Sequence, residues 1–327
     1  MNTNRRDFIG GLLATAALPV VADGTNKGGD SSRQAMETFG RRGQFERLNL
    51  ALTHVHLGLA KPFSVLHIAD THLTAAYPDE PDEIQKLHIR RTKTFGGMQE
   101  RALADSLAWA RQNVEFVIHT GDLVDWYSRA NFDLAKKYYG EGLSKTSCLG
   151  NHEYQYGSGL DRKFENESHK DTFRPKLKDC YPFDLKLQST VAHGVNFVTM
   201  DNVFGAVTEE QRERFRGEVA KGLPIVLAMH VPFFTEGIRL ASDRFWGRCN
   251  RKFDAVPPHL KLGCGVPVQC GDPFTASFIG ELRRERLLKC ILTSHLHFSF
   301  EERFSETAMQ YIVGGNFLFQ GREVLFT

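Results

Sequence analysis

The sequence predicts a domain of the α/β class that spans residues 46–327. Short apolar stretches alternate with amphipathic stretches along most of this region, and the alternation is typical of strands followed by helices. Five polar clusters each follow an apolar stretch, at the point where a strand would end. Because ligand sites in α/β sheets lie beyond the carboxyl ends of the strands, we expect these clusters to meet at one edge of the fold.

The first half of the domain carries four predicted strands and two predicted helices. The strands are an alternating stretch at 48–52, typical of a half-buried strand, and mainly apolar stretches at 63–69, 114–119 and 146–149. The helices are expected at 98–112 and near 130–139, each between two strands. Residues 74–93 are rich in charged residues and proline, so we expect an irregular loop there.

The second half continues the alternation. Its strands are expected near residues 183–189, 195–200, 223–229 and 290–293. A capping box of Thr208 and Gln211 begins a helix that runs to about residue 221, and another helix is expected at 275–288.

An insert and a tail depart from this pattern. The tail, residues 298–327, is expected to form short antiparallel strands with a turn at Gly314 and Gly315. The insert, residues 233–274, contains prolines, aromatic residues and cysteines. Four of its aromatic side chains either line a substrate pocket or pack to anchor the insert: Phe233, Phe234, Phe245 and Trp246.

Composition and charge exclude several function classes. The chain has 327 residues, with 41 Lys and Arg against 39 Asp and Glu, so its net charge is only +2. The chain lacks the excess of basic residues that would indicate binding to a nucleic-acid polymer, so we expect no such partner. No apolar run reaches the ~18 residues of a membrane-spanning helix, so we expect no stable membrane insertion of the processed chain. The six cysteines form no C-x-x-C pair, which disfavours a structural zinc cluster.

Residues 1–22 have the features of an export signal. Arg5 and Arg6 precede an apolar, alanine-rich stretch that ends at Ala22, as in a cleaved secretory signal. The alternative is a membrane anchor, but residues 9–22 are too few to span a bilayer. The arginine pair resembles a twin-arginine signal, and this resemblance implies a partner, the twin-arginine export machinery, and a periplasmic or secreted location.

A flexible tether is expected at residues 23–45, which are rich in Gly, Ser and Lys. An oxidising periplasm would permit one disulfide among Cys249, Cys264 and Cys270. The sequence does not select the pair.

The polar clusters carry the chemistry. They combine carboxylate, imidazole and carboxamide groups without a thiol: Asp70 and His72; Asp122 and Asp125; Asn151, His152 and Glu153; His230; His295 and His297. Such a donor set suits divalent Mn, Fe or Zn. It has too many members for one tetrahedral ion, so we expect two ions about 3.5–4 Å apart, an arrangement used for displacement at phosphorus.

These clusters, in this order, resemble the pattern D-x-H, G-D-x-x-D, G-N-H-[DE], H, G-H-x-H of the calcineurin-like metallophosphoesterase superfamily. The resemblance covers roughly residues 63–300. It implies a four-layer αββα sandwich and a metal-dependent phosphoesterase, which hydrolyses a phosphate ester by attack of a metal-bridging hydroxide. In one departure, Ser294 stands where the family usually has Gly, which places the geometry at that strand end in question.

The resemblance also implies a role for each residue. The first metal would be held by Asp70, His72 and His297, and the second by Asn151, His230 and His295. Asp122 would bridge the two metals, and the chemistry of the residues agrees, because a carboxylate has two oxygens that can face different cations. His152 would be the general acid, oriented by Asp125, and the role of Glu153 stays open.

The substrate is less well defined by sequence. Trp126 stands where related protein phosphatases carry Arg, and Asp125 where purple acid phosphatases carry Tyr, which argues against both branches. The first two clusters are similar to those of bacterial phosphodiesterases, so a small phosphodiester is the main hypothesis. The alternatives are a phosphomonoesterase, a nucleotide or lipid pyrophosphohydrolase, or a non-catalytic metal-binding scaffold.

A basic run in the predicted loop 74–93 has two interpretations. Arg90, Arg91 and Lys93 either reach the phosphate of the substrate or form an ordinary solvated face. Charge runs are usually solvated, so the second interpretation is preferred.

Overall fold

The computed structural model describes residues 45–155, 167–246 and 273–327. The described residues from Leu48 onward belong to one compact unit. The predicted signal at 1–22, the tether up to residue 44 and the three cysteines of the insert lie outside the described residues. In the part of the chain that is described, no helix is both long and apolar enough to cross a bilayer.

The first sheet has five strands in the order β1-β11-β2-β3-β4. They are β1 Asn49–Val55, β2 Phe63–Ile68, β3 Val117–Thr120, β4 Ser147–Cys148 and β11 Gln320–Phe326. Strands β2, β3 and β4 run parallel, whereas β11 is antiparallel to β2 and parallel to β1. The carboxyl ends of the three parallel strands therefore lie at one edge, where the first three polar clusters begin.

The second sheet has six strands in the order β5-β6-β7-β8-β10-β9. They are β5 Leu187–Ala192, β6 Val195–Met200, β7 Ile225–Ala228, β8 Leu288–Thr293, β9 Phe300–Arg303 and β10 Met309–Ile312. The four central strands are parallel and the two edge strands are antiparallel to their neighbours. His230 follows β7 and His295 follows β8, so this sheet also delivers its polar clusters from parallel strand ends.

Seven α-helices are present among the described residues. They are α1 Asp82–Thr94, α2 Gln99–Asn113, α3 Arg129–Glu141, α4 Glu167–Leu177, α5 Glu209–Val219, α6 Glu236–Trp246 and α7 Pro273–Arg284. The predicted capping box of Thr208 and Gln211 is formed at the start of α5. Two helices lie in segments that the sequence predicted to be irregular: α1 in residues 74–93 and α6 in the insert. In α1 only Leu87 is buried, so the helix has no apolar stripe by which it could be predicted.

Apolar side chains separate four layers. Between the two sheets lies a core with members on both, such as Val65 of β2 and Val226 of β7. The outer face of the first sheet packs against Leu103 and Phe132 of α2 and α3, and the second sheet packs against Phe278 of α7. This arrangement confirms the predicted αββα sandwich.

The tail differs from the prediction in its connectivity. Strands β9 and β10 pair antiparallel as expected, but β10 and β11 lie in different sheets. Gly314 and Gly315 therefore lie on the crossing between the two sheets and not in a hairpin turn. The crossing is needed because β11 closes the first sheet between β1 and β2.

Candidate metal centre

The polar clusters of both sheets meet beyond their carboxyl ends. Asp70, His72 and His230 are fully buried, and Asp122 is 1% exposed. Burying so many titratable groups is costly unless they are paired or bind a cation.

A first group of ligand atoms belongs to Asp70, His72, Asp122 and His297, and these atoms all lie within 4.8 Å of one another. The Nε2 atoms of His72 and His297 are 3.1 Å apart. His72 Nδ1 donates to Asp125 Oδ1 at 2.9 Å, so in the neutral ring Nε2 carries the lone pair that faces the group. Asp70 Oδ1 is buried and accepts no hydrogen bond from any described residue.

A second group lies beside the first and consists of Asp122, His230 and His295, again with ligand atoms within 4.8 Å. His230 Nδ1 donates to the carbonyl of Thr120 at 2.8 Å, which leaves the Nε2 lone pair facing inward. Asn151 Oδ1 lies 3.1 Å from that Nε2 atom, and His295 Nδ1 lies 3.0 Å from it. All four residues predicted to surround the second metal are thus brought together.

Asp122 belongs to both groups. Its Oδ2 atom lies 3.8 Å from His72 Nε2 and 3.4 Å from His230 Nε2. The other oxygen, Oδ1, accepts the backbone N–H of His152 at 2.9 Å. Oδ2 is thus close to ligand atoms of both groups, while Oδ1 is held by the backbone of the loop after β4.

The donor set fits divalent cations. Imidazole lone pairs and carboxylate oxygens converge on one another, and no described residue donates a hydrogen bond to the buried Oδ1 atom of Asp70. Closely spaced imidazole nitrogens and carboxylate oxygens repel one another when no cation is bound, and a cation between them makes the arrangement favourable. The absence of thiolate and the mixture of nitrogen and oxygen ligands suit Mn, Fe or Zn.

The backbone at the ligand positions adopts an unusual conformation. Among the described residues, eight that are not glycine have positive φ, and five of them are predicted ligands: Asp70, His72, Asp122, His295 and His297, at 51° to 72°. The left-handed region is disfavoured for residues with a Cβ atom, although Asp and His tolerate it better than most. Strained backbone of this kind concentrates at functional sites.

Two glycines allow the loops after β3 and β4 to touch. Gly121 has a φ of +93°, and a Cβ atom there would overlap the backbone of Gly150. A Cβ atom on Gly150 would overlap the carboxylate of Asp122. These two positions require glycine for space and, at Gly121, for conformation.

Glu153, whose role the sequence left open, joins the same two loops. Its fully buried carboxylate accepts the backbone N–H of Leu123 at 2.7 Å and of Gly150 at 2.8 Å. It also accepts from the backbone of Asp122 and Val124. A short polar side chain could not reach all four donors, so the acid is part of the scaffold of the site and not one of its ligands.

His152 and Asp125 form the predicted pair beside the two groups. His152 Nδ1 lies 2.8 Å from the carbonyl and 3.1 Å from Oδ1 of Asp125, so its Nε2 atom is free to face a substrate. Although burial favours the neutral ring, the charges of Asp122 and Asp125 raise the pKa of His152 to about 9. The two carboxylates therefore favour the protonated form of His152.

Asp125 also receives a contact that sequence analysis did not predict. Arg91 of α1 donates from Nε to Asp125 Oδ2 at 2.5 Å and from Nη2 to Oδ1 at 2.8 Å. Burial would raise the pKa of Asp125, but these hydrogen bonds and those of His152 and His72 hold it well below its ordinary value. The preferred interpretation of Arg91 as part of a solvated face is therefore wrong, because α1 brings its guanidinium against the buried carboxylate of Asp125.

The structure gives clear positions to Ser294, which departs from the family pattern, and to Trp126, which stands where related protein phosphatases carry Arg. Ser294 Oγ donates to the carbonyl of Thr120 at 2.8 Å and lies 3.0 Å from His230 Nδ1. The serine therefore adds support behind His230 and leaves the strand end in place. Trp126 is fully buried, so its side chain does not take the position of a phosphate-binding arginine.

The aromatic residues of the insert divide between two roles. Phe233 is buried and stacks on Phe304 in the core, 5.3 Å between ring centroids. Trp246 is partly exposed, lies 5.8 Å from the ring of His297 and donates to the carbonyl of Leu296 at 3.0 Å. Trp246 thus borders the site, together with Phe317, whose ring lies 5.3 Å from that of His297.

An αββα sandwich with buried carboxylates and imidazoles beyond its central strands defines the class of metal-dependent phosphoester hydrolases. The profile of the calcineurin-like phosphoesterases matches residues 63–297, which include every predicted ligand. The chain therefore belongs to the calcineurin-like phosphoesterase family. Comparison with functionally curated proteins gave no match.

Solved structures resemble the chain at low sequence identity. A dimetal phosphatase from Danio rerio is 14% identical, with a TM-score of 0.43, and the match covers 78% of this chain and 88% of that one. A putative 5'-nucleotidase from Staphylococcus aureus is 14% identical, with a TM-score of 0.38 and coverage of 78% and 49%. A purple acid phosphatase from yellow lupin seeds is 12% identical, with a TM-score of 0.45 and coverage of 79% and 45%. The chain thus spans about half the length of the last two.

Proposed function

We propose that the protein hydrolyses phosphate esters with two divalent cations bound in the buried centre between the two sheets' strand ends. The observation that carries the proposal is the pair of adjacent ligand groups that share Asp122 Oδ2. Asp70, His72 and His297 would hold one cation, and Asn151, His230 and His295 the other. When bound, the cations would supply Lewis acidity that activates water as the nucleophile and neutralises the phosphoryl oxygens.

The chain's own residues supply proton transfer and orientation. His152 would donate the proton on Nε2 to the leaving-group oxygen, since its Nδ1 proton is held by Asp125. Asp125 keeps the ring oriented and favours its protonated form. Asp122 fixes the backbone of His152 through Oδ1, so that the proton donor and the shared ligand have a constant spacing.

A small phosphodiester is the substrate we favour, because the clusters at Asp70 and Asp122 are similar to those of bacterial phosphodiesterases. A monoesterase and a nucleotide or lipid pyrophosphohydrolase are the alternatives that keep the same centre. A non-catalytic scaffold is the third, and the retained pair of His152 and Asp125 argues against it.

The test is hydrolysis of bis(p-nitrophenyl) phosphate and of p-nitrophenyl phosphate by the full chain loaded with Mn²⁺. Asp122→Asn, which alters the shared ligand, is the matched control and should lose turnover. A higher kcat/KM for the diester supports a phosphodiesterase, and the reverse supports a monoesterase. No turnover of either ester with metal bound would favour the scaffold.

We also propose that the chain is exported by the twin-arginine machinery to the periplasm or beyond. The support is the arginine pair, Arg5 and Arg6, before an apolar stretch. Replacing both arginines with lysine should retain the protein in the cytoplasm in a bacterial fractionation assay. Unchanged export of that variant would contradict the proposal.

A further inference from the structure

We propose that Arg91 is a positioning residue that holds Asp125 against both His72 and His152, and through them sets metal affinity and turnover. The kinetic part of this inference rests on the proposed function. The part that concerns metal affinity does not.

The ion pair between Arg91 and Asp125 has the geometry of a fork. Nε and Nη2 of the guanidinium donate to the two different oxygens of the carboxylate, at 2.5 and 2.8 Å. The carboxylate is 1% exposed, whereas the Arg91 side chain is 27% exposed. A bidentate pair of this kind fixes the plane of the carboxylate, which a single hydrogen bond does not.

The two oxygens of Asp125 have different numbers of partners. Oδ1 accepts from His72 Nδ1 at 2.9 Å, lies 3.1 Å from His152 Nδ1 and also accepts from Arg91. Oδ2 takes its hydrogen bond from Arg91 alone among the described residues. Without Arg91, Oδ2 would be a buried charged oxygen without a donor, and rotation of the carboxylate would compete with its bonds to both histidines.

Arg91 also reaches His72 by a second route. Its guanidinium lies over the ring of Phe95, 4.7 Å from the centroid. The same ring stacks on His72 with centroids 4.6 Å apart and planes at 13°. Arg91 and Phe95 therefore restrain the imidazole at its face, while Asp125 restrains it at its edge.

The alternative for an arginine at this place is direct contact with the phosphate of the substrate. The two interpretations predict different kinetics. A positioning residue changes kcat and metal affinity, because it acts through Asp125, and a phosphate contact changes KM.

The experiment compares Arg91→Gln and Arg91→Lys with Arg90→Gln in the full chain. Arg90 is the exposed neighbour on the same helix, so its variant controls for the loss of one positive charge. Mn²⁺ affinity is measured by calorimetry, and kcat and KM are measured separately with both aryl phosphates. Unfolding without metal checks that each variant folds.

We expect Arg91→Gln to weaken Mn²⁺ binding and to lower kcat by about 10- to 100-fold each, with little change in KM. Arg91→Lys should recover part of both losses, because lysine keeps the charge without the fork. Arg90→Gln should behave as the wild type. In a double-mutant cycle, Arg91→Gln should add little to Asp125→Asn, since it acts through that carboxylate.

Wild-type Mn²⁺ affinity in Arg91→Gln, or a rise in KM alone, would overturn the inference. If the wild type hydrolyses neither ester, the proposed function fails, and the calorimetric comparison still decides the role of Arg91. If Arg91→Gln does not fold, Arg91→Lys decides it, because full Mn²⁺ affinity without the fork contradicts positioning.

Discussion

Glu153 accepts the backbone N–H of Asp122 at 3.1 Å, so a residue of the loop after β4 supports the shared ligand in the loop after β3. We predict that Glu153→Gln lowers the free energy of unfolding by about 1–3 kcal/mol, because its amide would place a donor against backbone donors. Urea unfolding of the metal-free chain measures this. The exposed Glu115→Gln is the control, and equal stability of the two variants would contradict the prediction.

His152→Ala should retain the metals and lose turnover. Its ring contacts Asp125 and lies outside the two predicted ligand sets, so Mn²⁺ affinity should stay within a few-fold of the wild type. The value of kcat should fall by about 10²- to 10⁴-fold, and more for esters with poor leaving groups, which depend most on proton donation.

His230→Ala is the contrasting variant for His152→Ala, because His230 is a predicted ligand, and it should lose Mn²⁺ binding. Calorimetry and a series of aryl esters with different leaving-group pKa values distinguish the two variants. A His152→Ala protein that binds no metal would show that our division of roles is wrong.

Gly150→Ala should impair the centre through space alone. The added methyl group would overlap the Asp122 carboxylate and displace the shared ligand. We expect at least a tenfold loss in Mn²⁺ affinity and in kcat/KM. Gly140→Ala in α3 is the matched control, because its added Cβ meets nothing within 4 Å and alanine favours the helix. Full activity of Gly150→Ala would contradict the close contact between the loops after β3 and β4.

A buried carboxylate away from the ligands, Asp201, is predicted to contribute to stability against acid. Asp201 is 1% exposed and accepts from Tyr154 at 2.8 Å and from Arg174 at 3.1 Å, with Lys170 at 3.4 Å. Burial would raise its pKa, but the charges of Lys170 and Arg174 lower the pKa of Asp201 below its ordinary value. Its stabilisation is therefore complete above the unfolded pKa of about 3.9 and is lost as pH falls through the lower folded value.

Asp201→Asn should accordingly lower the free energy of unfolding by about 3 kcal/mol at neutral pH. As the pH falls below about 4, the variant should lose less stability than the wild type. Thermal unfolding between pH 7 and pH 2 measures both effects. Asp171→Asn is the control, because Asp171 contacts the same Arg174 from the surface, with 61% of its side chain exposed. Parallel acid profiles for wild type and Asp201→Asn would contradict the prediction.

The parts of this protein that local pattern determines could be predicted from the sequence. Strand β7 is a continuous apolar run and β2 and β6 are mainly apolar, and the polar residues that follow them are fixed in place by the strand ends. The sheet order could not be predicted from local pattern, because β11 pairs with β1 and β2, which lie more than 250 residues away in the sequence. Helix α1 was missed since its single buried residue, Leu87, gives no periodic signal.

The ligand residues were predictable because only a few residue types bind metal ions and because most of these residues occur together in short motifs. The supporting residues were not. Arg91 acts through contacts with Asp125 across 34 positions, and no motif links the two. Glu153 was visible next to His152, but its role depends on backbone donors that only the folded loops bring together. Supporting residues such as Arg91 and Glu153 are therefore defined by their contacts in the folded protein and not by their residue type.

The left-handed backbone at five predicted ligands has a consequence for how the chain evolves. Each such residue costs about 1 kcal/mol that a glycine in the same place would recover, while the glycine would remove a ligand. Single substitutions to glycine at these positions would therefore make the fold more stable while removing metal ligands. Asp and His at these five positions would persist only under selection for the centre, and a duplicate gene released from that selection should lose these side chains early.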